Sequence, residues 1–470
     1  MAVEAHNAER MEEKIHDKGT KKTTRDETTV KAGKAGLGWR IAVNVCRIPL
    51  ALALIFSGFV KAIDPLGTQY KINDYLEALH LEQYVPSWAT LTTSVLLSAL
   101  EFCLGIFLLF AIRRRLVSRI IVVFMAIMTI ITVWLWGWDP IKDCGCFGDA
   151  IHLTNGQTLL KNIALLAMAA TIAWKPRSMA RFISKSNQWI VINYTALFIL
   201  ISAGLSLWYL PFFDFRPFHI GADIRKGMEI PKGAKQPKFE TTFILEKGGV
   251  RKEFTIDNYP DSTWTFIDSK TVEVEKGYEP PIQDFSITDQ ATGDDITDRI
   301  LSNKGYTFVL VAPHLELADD TNFGDLDRIY EYAQDHHYAF IALTASGESA
   351  VAHWRDITGA EYPFYITDGT TLETVIRSNP GLLLIHNGVI INKWSHNGLP
   401  SQEELSAPLE KSKLGKLPEN GVTKRLTFLL LWFVLPLLLL TFADRTWQWT
   451  QWIRRKKKEK TMPTEPKVQP

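Results

Sequence analysis

Two cysteines separated by a single residue are the pair in this sequence best suited to redox chemistry. Cys144 and Cys146 lie in the peptide Asp-Cys-Gly-Cys-Phe-Gly-Asp, which runs from Asp143 to Asp149. Thiols at this spacing close a small, strained disulfide ring, and strained or exposed disulfides are the more oxidising and exchange-prone ones. The spacing favours a disulfide oxidant or an exchange intermediate. A static disulfide and a metal site are the alternatives.

The neighbours of the pair leave its chemistry open. Only a thiolate is a nucleophile, and the charges of Asp143 and Asp149 disfavour it whereas the charge of Lys142 favours it. Asp143 or His152 could join the two thiolates around a soft or borderline metal ion, but structural zinc sites use four protein ligands. No second ligand pair accompanies the cysteines, so no metal is predicted.

Apolar stretches of membrane-spanning length flank the cysteine pair. A bilayer crossing takes about 17–25 residues, and six stretches qualify: Trp39–Ile63, Trp88–Ile112, Leu116–Trp136, Thr158–Trp174, Trp189–Leu210 and Leu426–Phe442. The net charge of +1 and 46% hydrophobic residues would by themselves describe an ordinary globular enzyme. The distribution of the apolar residues predicts instead an integral membrane protein in contact with a lipid bilayer.

Basic residues predict how the spans are oriented. They cluster in the N-terminal tail, at Arg113–Arg119, at Lys175–Lys185 and at Arg454–Lys458, and such clusters face the cytoplasm. This orientation places both termini inside and the cysteine pair outside, together with the polar stretch 212–423. In a bacterial cell these are the inner membrane and the periplasm, where disulfides persist. The short C-terminal basic run is interpreted as a topology anchor, and no nucleic-acid partner is predicted.

Four more residues of the first two spans are candidates for chemistry within the membrane. Cys46 and Cys103 lie at similar predicted depth, as small buried hydrophobes or as a second redox pair that relays electrons to the outer pair or to a quinone. Arg47 and Glu101 are predicted to pair, because unpaired charges in a membrane are costly. Their ion pair either fixes helix packing or handles protons or a quinone.

Short segments of the membrane part carry a family resemblance. They are Arg47–Leu50, Phe56–Pro65, Glu101 with Gly105, Asp143–Asp149 and Lys161–Asn162. In these segments the stretch Trp39–Trp174 resembles the DoxX-like membrane proteins, and within them the branch that includes the methylamine-utilisation protein E. The resemblance implies a four-helix membrane domain. It also implies disulfide formation or maturation of periplasmic partner proteins, or quinone-coupled chemistry.

The polar stretch divides at Pro280-Pro281. The part before it is rich in turn residues and β-formers and predicts a small β-rich module. The part after it alternates strands and helices and predicts an α/β domain. Its predicted strands are Tyr306–Ala312, Tyr338–Thr344, Pro363–Thr367, Gly381–Ile385 and Val389–Trp394. Its predicted helices are Asp325–His336, Glu348–Thr358, Leu372–Ser378 and Gln402–Lys411.

The order of these elements resembles a thioredoxin-like fold. Pro380 lies where that fold carries a cis-proline, so a cis peptide is predicted after Asn379. Thioredoxins carry Cys-x-x-Cys after the strand that here ends near His314, and this chain has Leu315–Asp319 there and no cysteine beyond Cys146. The resemblance therefore implies a domain that binds a client or redox partner. His314 and Pro380 are the candidate partner-binding residues.

The predicted organisation is an integral membrane helical bundle with an extracytoplasmic α/β domain and a small β-rich insert. Its parts are a disordered tail (1–38), a four-span domain (39–174), a fifth span (189–210), the β-rich module (212–280), a thioredoxin-like domain (281–414), a sixth span (426–442) and a basic tail (443–470). Two functions fit it. One is a membrane thiol oxidoreductase or disulfide-maturation factor, with Cys144 and Cys146 catalytic. The other is a non-enzymatic receptor or assembly factor.

Overall fold

The computed structural model of the chain describes residues 36–461, except 142, 236–237, 248–249, 256–257, 259, 261–262, 276, 284 and 420. These residues form two compact units, one of residues up to 213 and from 420 onward, the other of residues 214–419. The predicted disordered tail, 1–38, lies almost entirely outside the described residues, as does the end of the basic tail.

The first unit is built from long apolar helices. Six helices in the described part of the chain are long and apolar enough to cross a membrane: α1 (Gly36–Ile63), α3 (Ser87–Leu109), α4 (Arg114–Trp138), α5 (Asn155–Trp174), α6 (Gln188–Trp208) and a final helix, Gly421–Lys457. These residues lie in α12 (Gly421–Leu429), a π-helical turn (Leu430–Val434) and α13 (Leu435–Thr461), which continues past Lys457. The six predicted spans are thereby confirmed by length and composition.

Two glycines let α1 and α3 approach closely. A Cβ at Gly58 would lie 2.3 Å from the backbone nitrogen of Phe102, and a Cβ at Gly105 would lie 2.7 Å from the backbone nitrogen of Ile55. The two contacts fix the antiparallel register of the helices. Glu101, next to Phe102, consequently lies at the level of residues close to Gly58.

A polar helix follows α1 directly. This helix, α2 (Pro65–Ala78), begins with Pro at its first position, and the Asp64 side chain accepts a hydrogen bond from the Gly67 amide at 3.0 Å. Both features are typical of helix N-termini. The helix places Lys71 and Tyr75 against the cysteine peptide, as described below.

The second unit contains a three-stranded antiparallel sheet. Its strands are β1 (Lys238–Lys247), β2 (Val250–Thr255) and β3 (Thr265–Glu275), in the order β2-β1-β3. Two β-rich segments of the sequence, 239–245 and 271–275, lie in β1 and β3.

The second unit also contains a five-stranded mixed sheet, in the order β6-β5-β4-β7-β8. The strands are β4 (Tyr306–Ala312), β5 (Ala339–Thr344), β6 (Phe364–Ile366), β7 (Gly381–His386) and β8 (Val389–Ser395). β4, β5 and β6 are parallel, whereas β7 is antiparallel to both β4 and β8. The five predicted strands are confirmed to within a residue or two at each end.

Helices connect the strands of the mixed sheet, and one predicted helix is wrong. α7 (Ile224–Met228) and α8 (Thr297–Leu301) precede the sheet, followed by α9 (Phe323–Asp335), α10 (Glu348–Thr358) and α11 (Gly369–Val375). α11 begins before the predicted Leu372 because Asp368 accepts a hydrogen bond from the Thr371 amide at 2.8 Å. Residues 402–411 form turns rather than the predicted helix, since Pro408 lacks the amide that a helix interior needs.

Segments before the predicted α/β boundary cover one edge of the mixed sheet. The Gly221 amide donates to the Ile390 carbonyl of β8 at 2.8 Å, and the Ile390 amide donates to the Ala222 carbonyl at 2.9 Å. The buried Lys393 ammonium of β8 pairs with Asp214 at 2.9 Å. The contacts of the α/β core therefore begin near residue 214, well before Pro281.

Candidate functional site

The cysteine peptide forms a tight loop between α4 and α5. Cys144 and Cys146 are joined by a disulfide, with their Cα atoms 5.5 Å apart. Gly145 between them has φ +64, and a Cβ there would lie 2.9 Å from Cγ of Lys71. The Asp143 carboxylate accepts a hydrogen bond from the Gly145 amide at 3.1 Å. The loop therefore requires glycine between the two cysteines.

Side chains of two other helices hold the backbone of the loop. The Tyr75 hydroxyl of α2 donates to the Cys144 carbonyl at 3.0 Å, and the Ser57 hydroxyl of α1 lies 2.7 Å from the Cys146 carbonyl. The Lys161 ammonium of α5 lies 4.2 Å from the centre of the Phe147 ring, within the range of a cation–π contact. Three helices thus anchor the disulfide.

The two cysteines differ in accessibility. Cys144 is only 8% exposed, whereas Cys146 is of intermediate exposure. Burial, and next the charges of Asp143 and Asp74, raise the pKa of the Tyr75 phenol. Tyr75 therefore keeps its proton and remains a hydrogen-bond donor to the more buried cysteine.

A buried ion pair lies beside the loop. The Lys61 ammonium of α1 is 3.0 Å from both carboxylate oxygens of Glu101 on α3, and the two side chains are 8% and 4% exposed. The Ser57 hydroxyl lies 2.8 Å from the same carboxylate. Because Ser57 also contacts the Cys146 carbonyl, it connects the ion pair to the disulfide loop.

The predicted pairing of Arg47 with Glu101 is wrong. Arg47 donates instead to the Ala180 carbonyl at 2.6 Å, and its guanidinium lies 4.7 Å from the centre of the Phe182 ring. The 14 positions from Arg47 to Lys61 span about 21 Å at about 1.5 Å per residue. The helix register set by Gly58 brings Lys61, not Arg47, to the level of Glu101.

A small cavity joins the ion pair and the disulfide loop. Its volume is about 40 Å³, and its polar lining consists of Ser57, Lys61, Glu101, Cys146, Lys161 and Asn162. One water needs at least about 10–15 Å³ of such volume and two to four polar partners. The cavity has room for two or three waters, in contact with acidic, basic and sulfur-bearing groups.

The other two cysteines do not form a second pair. Cys46 and Cys103 are free thiols, and they pack against two different apolar clusters. Cys103 is two residues from Glu101 and so lies near the level of Ser57. The 11 positions from Cys46 to Ser57 correspond to about 16 Å along α1. This separation favours the interpretation of both thiols as small buried hydrophobes.

Three members of the site were not singled out as functional from the sequence: Ser57, Lys61 and Tyr75. Ser57 and Lys61 are four residues apart, on one face of an apolar helix, and a lysine inside a membrane span is itself a functional signal. Tyr75 carried no such signal, because α2 is polar and its sequence holds no pattern that predicts contact with the cysteine peptide.

The metal alternative finds no ligand set in the described part of the chain, where no three His, Cys, Asp or Glu residues are grouped to hold an ion. Both cysteine sulfurs are joined to each other. His152 Nδ1 lies 3.1 Å from the Asp143 carboxylate. These two candidate ligands therefore interact with one another beside the disulfide.

In the second unit, the two candidate partner-binding residues lie close together. The peptide between Asn379 and Pro380 is cis, as predicted, and the Asn379 amide side chain donates to the His314 carbonyl at 2.7 Å. The His314 ring, 52% exposed, lies 3.8 Å from Glu373. The segment after β4 is thus in direct contact with the loop before β7.

The comparisons with known proteins concern two parts of the chain. Residues 239–276 match a domain of unknown function, DUF8463, and this stretch covers most of the three-stranded sheet. No curated protein matches the chain. Residues 39–175 match the family model of the methylamine utilisation protein MauE, in close agreement with the stretch that carries the resemblance. The chain is therefore a multi-pass membrane protein that contains a MauE-like membrane domain.

Proposed function

We propose that this protein is a membrane thiol–disulfide exchange factor that introduces a disulfide into a client protein through Cys144 and Cys146. The observation that carries the proposal is the disulfide between them, which is anchored by three helices and has its more accessible sulfur-bearing residue, Cys146, next to a small cavity that also contacts the Lys61–Glu101 ion pair. The MauE-like match of residues 39–175 supports a place in the maturation of a partner protein.

The exchange conserves atoms and electrons. A client thiolate attacks the sulfur of Cys146, the disulfide bond breaks, and Cys144 leaves as a thiolate that takes up a proton. The second client thiolate then attacks the client sulfur of the mixed disulfide and releases Cys146. The client loses two electrons and two protons, and the cysteine pair gains them. A membrane quinone, the proposed acceptor, reoxidises the pair and is reduced to the quinol.

Topology supports an encounter with the client on one side of the membrane. If all six helices cross the membrane in turn, the chain returns to the same side after every second span. The cysteine loop follows the third span and residues 209–420 follow the fifth, so both face one compartment. The positive-inside rule favours the bacterial periplasm for that compartment, with both termini in the cytoplasm. A disulfide persists there.

The second unit is proposed as a thioredoxin-like domain that binds the client. The order of its mixed sheet, with β4 in the centre and the Asn379–Pro380 loop next to the end of β4, supports this likeness. The sequence has no cysteine after Cys146. Because it cannot exchange disulfides itself, the domain contributes binding through the surface around His314 and Pro380.

The test is the redox response of the pair in membranes that contain the full-length protein. A membrane-impermeant alkylating reagent should label Cys144 and Cys146 only after mild reduction. Cys144→Ser should accumulate mixed disulfides through Cys146, whereas Cys103→Ser, which removes a free thiol inside the membrane part, should behave like the wild type. A pair that stays oxidised and unreactive under every reducing condition would refute the exchange function.

The second candidate function is a non-enzymatic receptor or assembly factor. The observation in its favour is that the unit of residues 214–419, the part suited to binding, lacks a dithiol altogether. Under this alternative the disulfide only shapes its loop. The double variant Cys144→Ser/Cys146→Ser would then support client maturation as well as the wild type does.

A further inference from the structure

Two ammonium groups and one carboxylate line the small cavity beside Cys146. The Lys61 ammonium lies 3.0 Å from both oxygens of Glu101, so the charges of these two side chains cancel. Lys161 of α5 lines the same cavity, and within the part of the chain that the structure describes it forms no ion pair with a carboxylate. Its ammonium lies 4.2 Å from the centre of the Phe147 ring. The charged groups of the cavity lining therefore sum to one positive charge, which Lys161 contributes.

The walls of the cavity make that charge strongly felt. Most of the lining is apolar, with the side chains of Leu54, Phe124, Met125, Met128 and Leu165. Charges interact more strongly in such surroundings than in water. An ammonium in an apolar membrane segment without a counter-charge is costly, and such a residue marks a functional site. An anion that forms beside the cavity would stabilise Lys161 and be stabilised by it.

The other titratable groups around the loop leave this role to Lys161. They are Lys71, Asp74 and Tyr75 of α2, and Asp143, Asp149 and His152 of the loop and the residues that follow it. Lys71 pairs with Asp74, and His152 pairs with Asp143, each at 3.1 Å. The side chains of α4 that line the cavity are all apolar in the described part of the chain. Lys161 is thus the cation that remains to accompany an anion at Cys146.

We propose that the Lys161 ammonium is the counter-charge of the Cys146 thiolate that forms during disulfide exchange. The proposal rests on the exchange function above. In the second step of the exchange, the bond between Cys146 and the client sulfur breaks, and its electron pair stays on the Cys146 sulfur. The resulting thiolate forms beside the cavity that Lys161 lines. Solvent then supplies its proton, which completes the transfer of two electrons and two protons to the cysteine pair.

The counter-charge speeds the release of the oxidised client. A thiol of lower pKa leaves a disulfide faster, and a neighbouring lysine lowers the pKa of a cysteine thiol. Lys161 therefore acts on the bond that must break last, between Cys146 and the client. Its role is electrostatic, and a residue that only supported the loop would not change the pKa of Cys146 through its charge.

The experiment measures the thiol pKa of Cys146 in the full-length Cys144→Ser protein in nanodiscs. Iodoacetamide, an uncharged reagent, alkylates the thiolate between about pH 5 and about pH 9. Mass spectrometry of the peptide that contains Cys146 separates it from the free thiols of Cys46 and Cys103. Lys161→Met should raise the pKa of Cys146 by about one unit or more, so that below both pKa values the thiolate fraction falls by about tenfold per unit.

Two further variants and one control isolate the charge. Lys161→Arg keeps the positive charge, so the pKa of Cys146 should stay closer to that of the Cys144→Ser parent than in Lys161→Met. Lys161→Gln removes the charge and should raise the pKa as Lys161→Met does, so the test does not depend on the folding of one variant. Lys175→Met is the control, because its 14 positions from Lys161 correspond to about 21 Å along α5. The control should leave the pKa unchanged.

The outcomes separate the two proposals. A Cys146 pKa that is the same in Lys161→Met, Lys161→Gln and Lys175→Met refutes the counter-charge, and so does an equal rise in Lys161→Arg and Lys161→Met. The exchange function is tested by the wild-type pair in the same nanodiscs. A pair that equilibrates with glutathione keeps the exchange function standing even where the pKa does not respond to Lys161. A pair that does not equilibrate refutes the exchange function, and the role of Lys161 in it, whatever the pKa of Cys146.

Discussion

Replacing Lys61 by Met is expected to destabilise the membrane unit strongly. The substitution leaves Glu101 buried, with a side chain only 4% exposed, and without its counter-charge. Removing one partner of a buried ion pair costs about 3–5 kcal/mol. At about 2–4 °C per kcal/mol for a domain of about 150–250 residues, the unfolding midpoint should fall by about 6–20 °C.

The assay is thermal unfolding of the full-length protein in detergent at one scan rate, because large, disulfide-bonded proteins often unfold irreversibly. Lys175→Met is the matched control, since Lys175 lies exposed just after α5 and its ammonium lies 5.1 Å from the centre of the Trp39 ring. Its midpoint should change by no more than about 2–4 °C, the equivalent of about 1 kcal/mol.

Charge reversal tests which residue is the true partner of Glu101. Lys61→Glu/Glu101→Lys should recover much of the stability that either single variant loses, because the ion pair is rebuilt in the opposite sense. Arg47→Glu/Glu101→Arg should not recover it, since Arg47 contacts Ala180 and Phe182 instead. Rescue by the second exchange and not by the first would refute the register described for α1 and α3.

Three further predictions concern other parts of the molecule. Gly145→Ala should destabilise the cysteine loop by about 1–2 kcal/mol, because Gly145 has φ +64 and a left-handed backbone is unfavourable for alanine. Gly204→Ala is the control: a Cβ at Gly204 would meet no heavy atom within 4 Å, so this variant should not lower the unfolding midpoint. Burial raises the pKa of Asp214, but the charges and hydrogen bonds of Lys393 and Arg216 outweigh it and bring the pKa down from 3.8 to about 2. A pKa below that of the unfolded chain stabilises the fold at pH values above about 4, so about 2 kcal/mol of the free energy of unfolding should be lost as the pH falls from about 4 to about 2. The loss should be seen as faster hydrogen exchange in β8. In Asp214→Asn, which has no carboxylate to titrate, this pH dependence should disappear. Arg47→Met should lower the free energy of unfolding by about 1–3 kcal/mol, because it removes the charged hydrogen bond to the Ala180 carbonyl. Hydrogen exchange of the amides at residues 178–184 should become faster.

The spans and strands were predictable because their signals are local. A bilayer crossing is an apolar run of sufficient length, and each strand of the mixed sheet is a short apolar run bounded by turn residues. The predicted helix at Gln402–Lys411 is wrong because turns, with Pro408 among them, bury Leu405 and Leu409 there.

The partner of Glu101 was not predictable by counting depth from the ends of the spans. α1 begins before its apolar stretch does, and α3 ends three residues earlier than predicted. What aligns the two helices is contact between backbones at Gly58 and Gly105. A sequence states where such glycines are, but not which residues of another helix they meet.

The candidate site was only partly visible in the sequence. The cysteine pair was apparent because the Cys-Gly-Cys motif brings both sulfurs together by itself. Ser57, Lys61 and Tyr75 come from two other helices, and only tertiary packing brings them to the cysteine loop. Lys61 had a signal of its own, as a charge in an apolar helix, whereas Tyr75 had none.

The most direct test of the exchange function is to capture a client on Cys146. The full-length Cys144→Ser variant is expressed at native level, free thiols are blocked by acid and alkylation, and disulfide-linked species are identified by mass spectrometry before and after reduction. If Cys146 exchanges disulfides with a client, a reducible adduct between Cys146 and a cysteine of another protein should form, and it should be absent from Cys144→Ser/Cys146→Ser. Free, alkylated Cys146 with no adduct in any growth condition would contradict it.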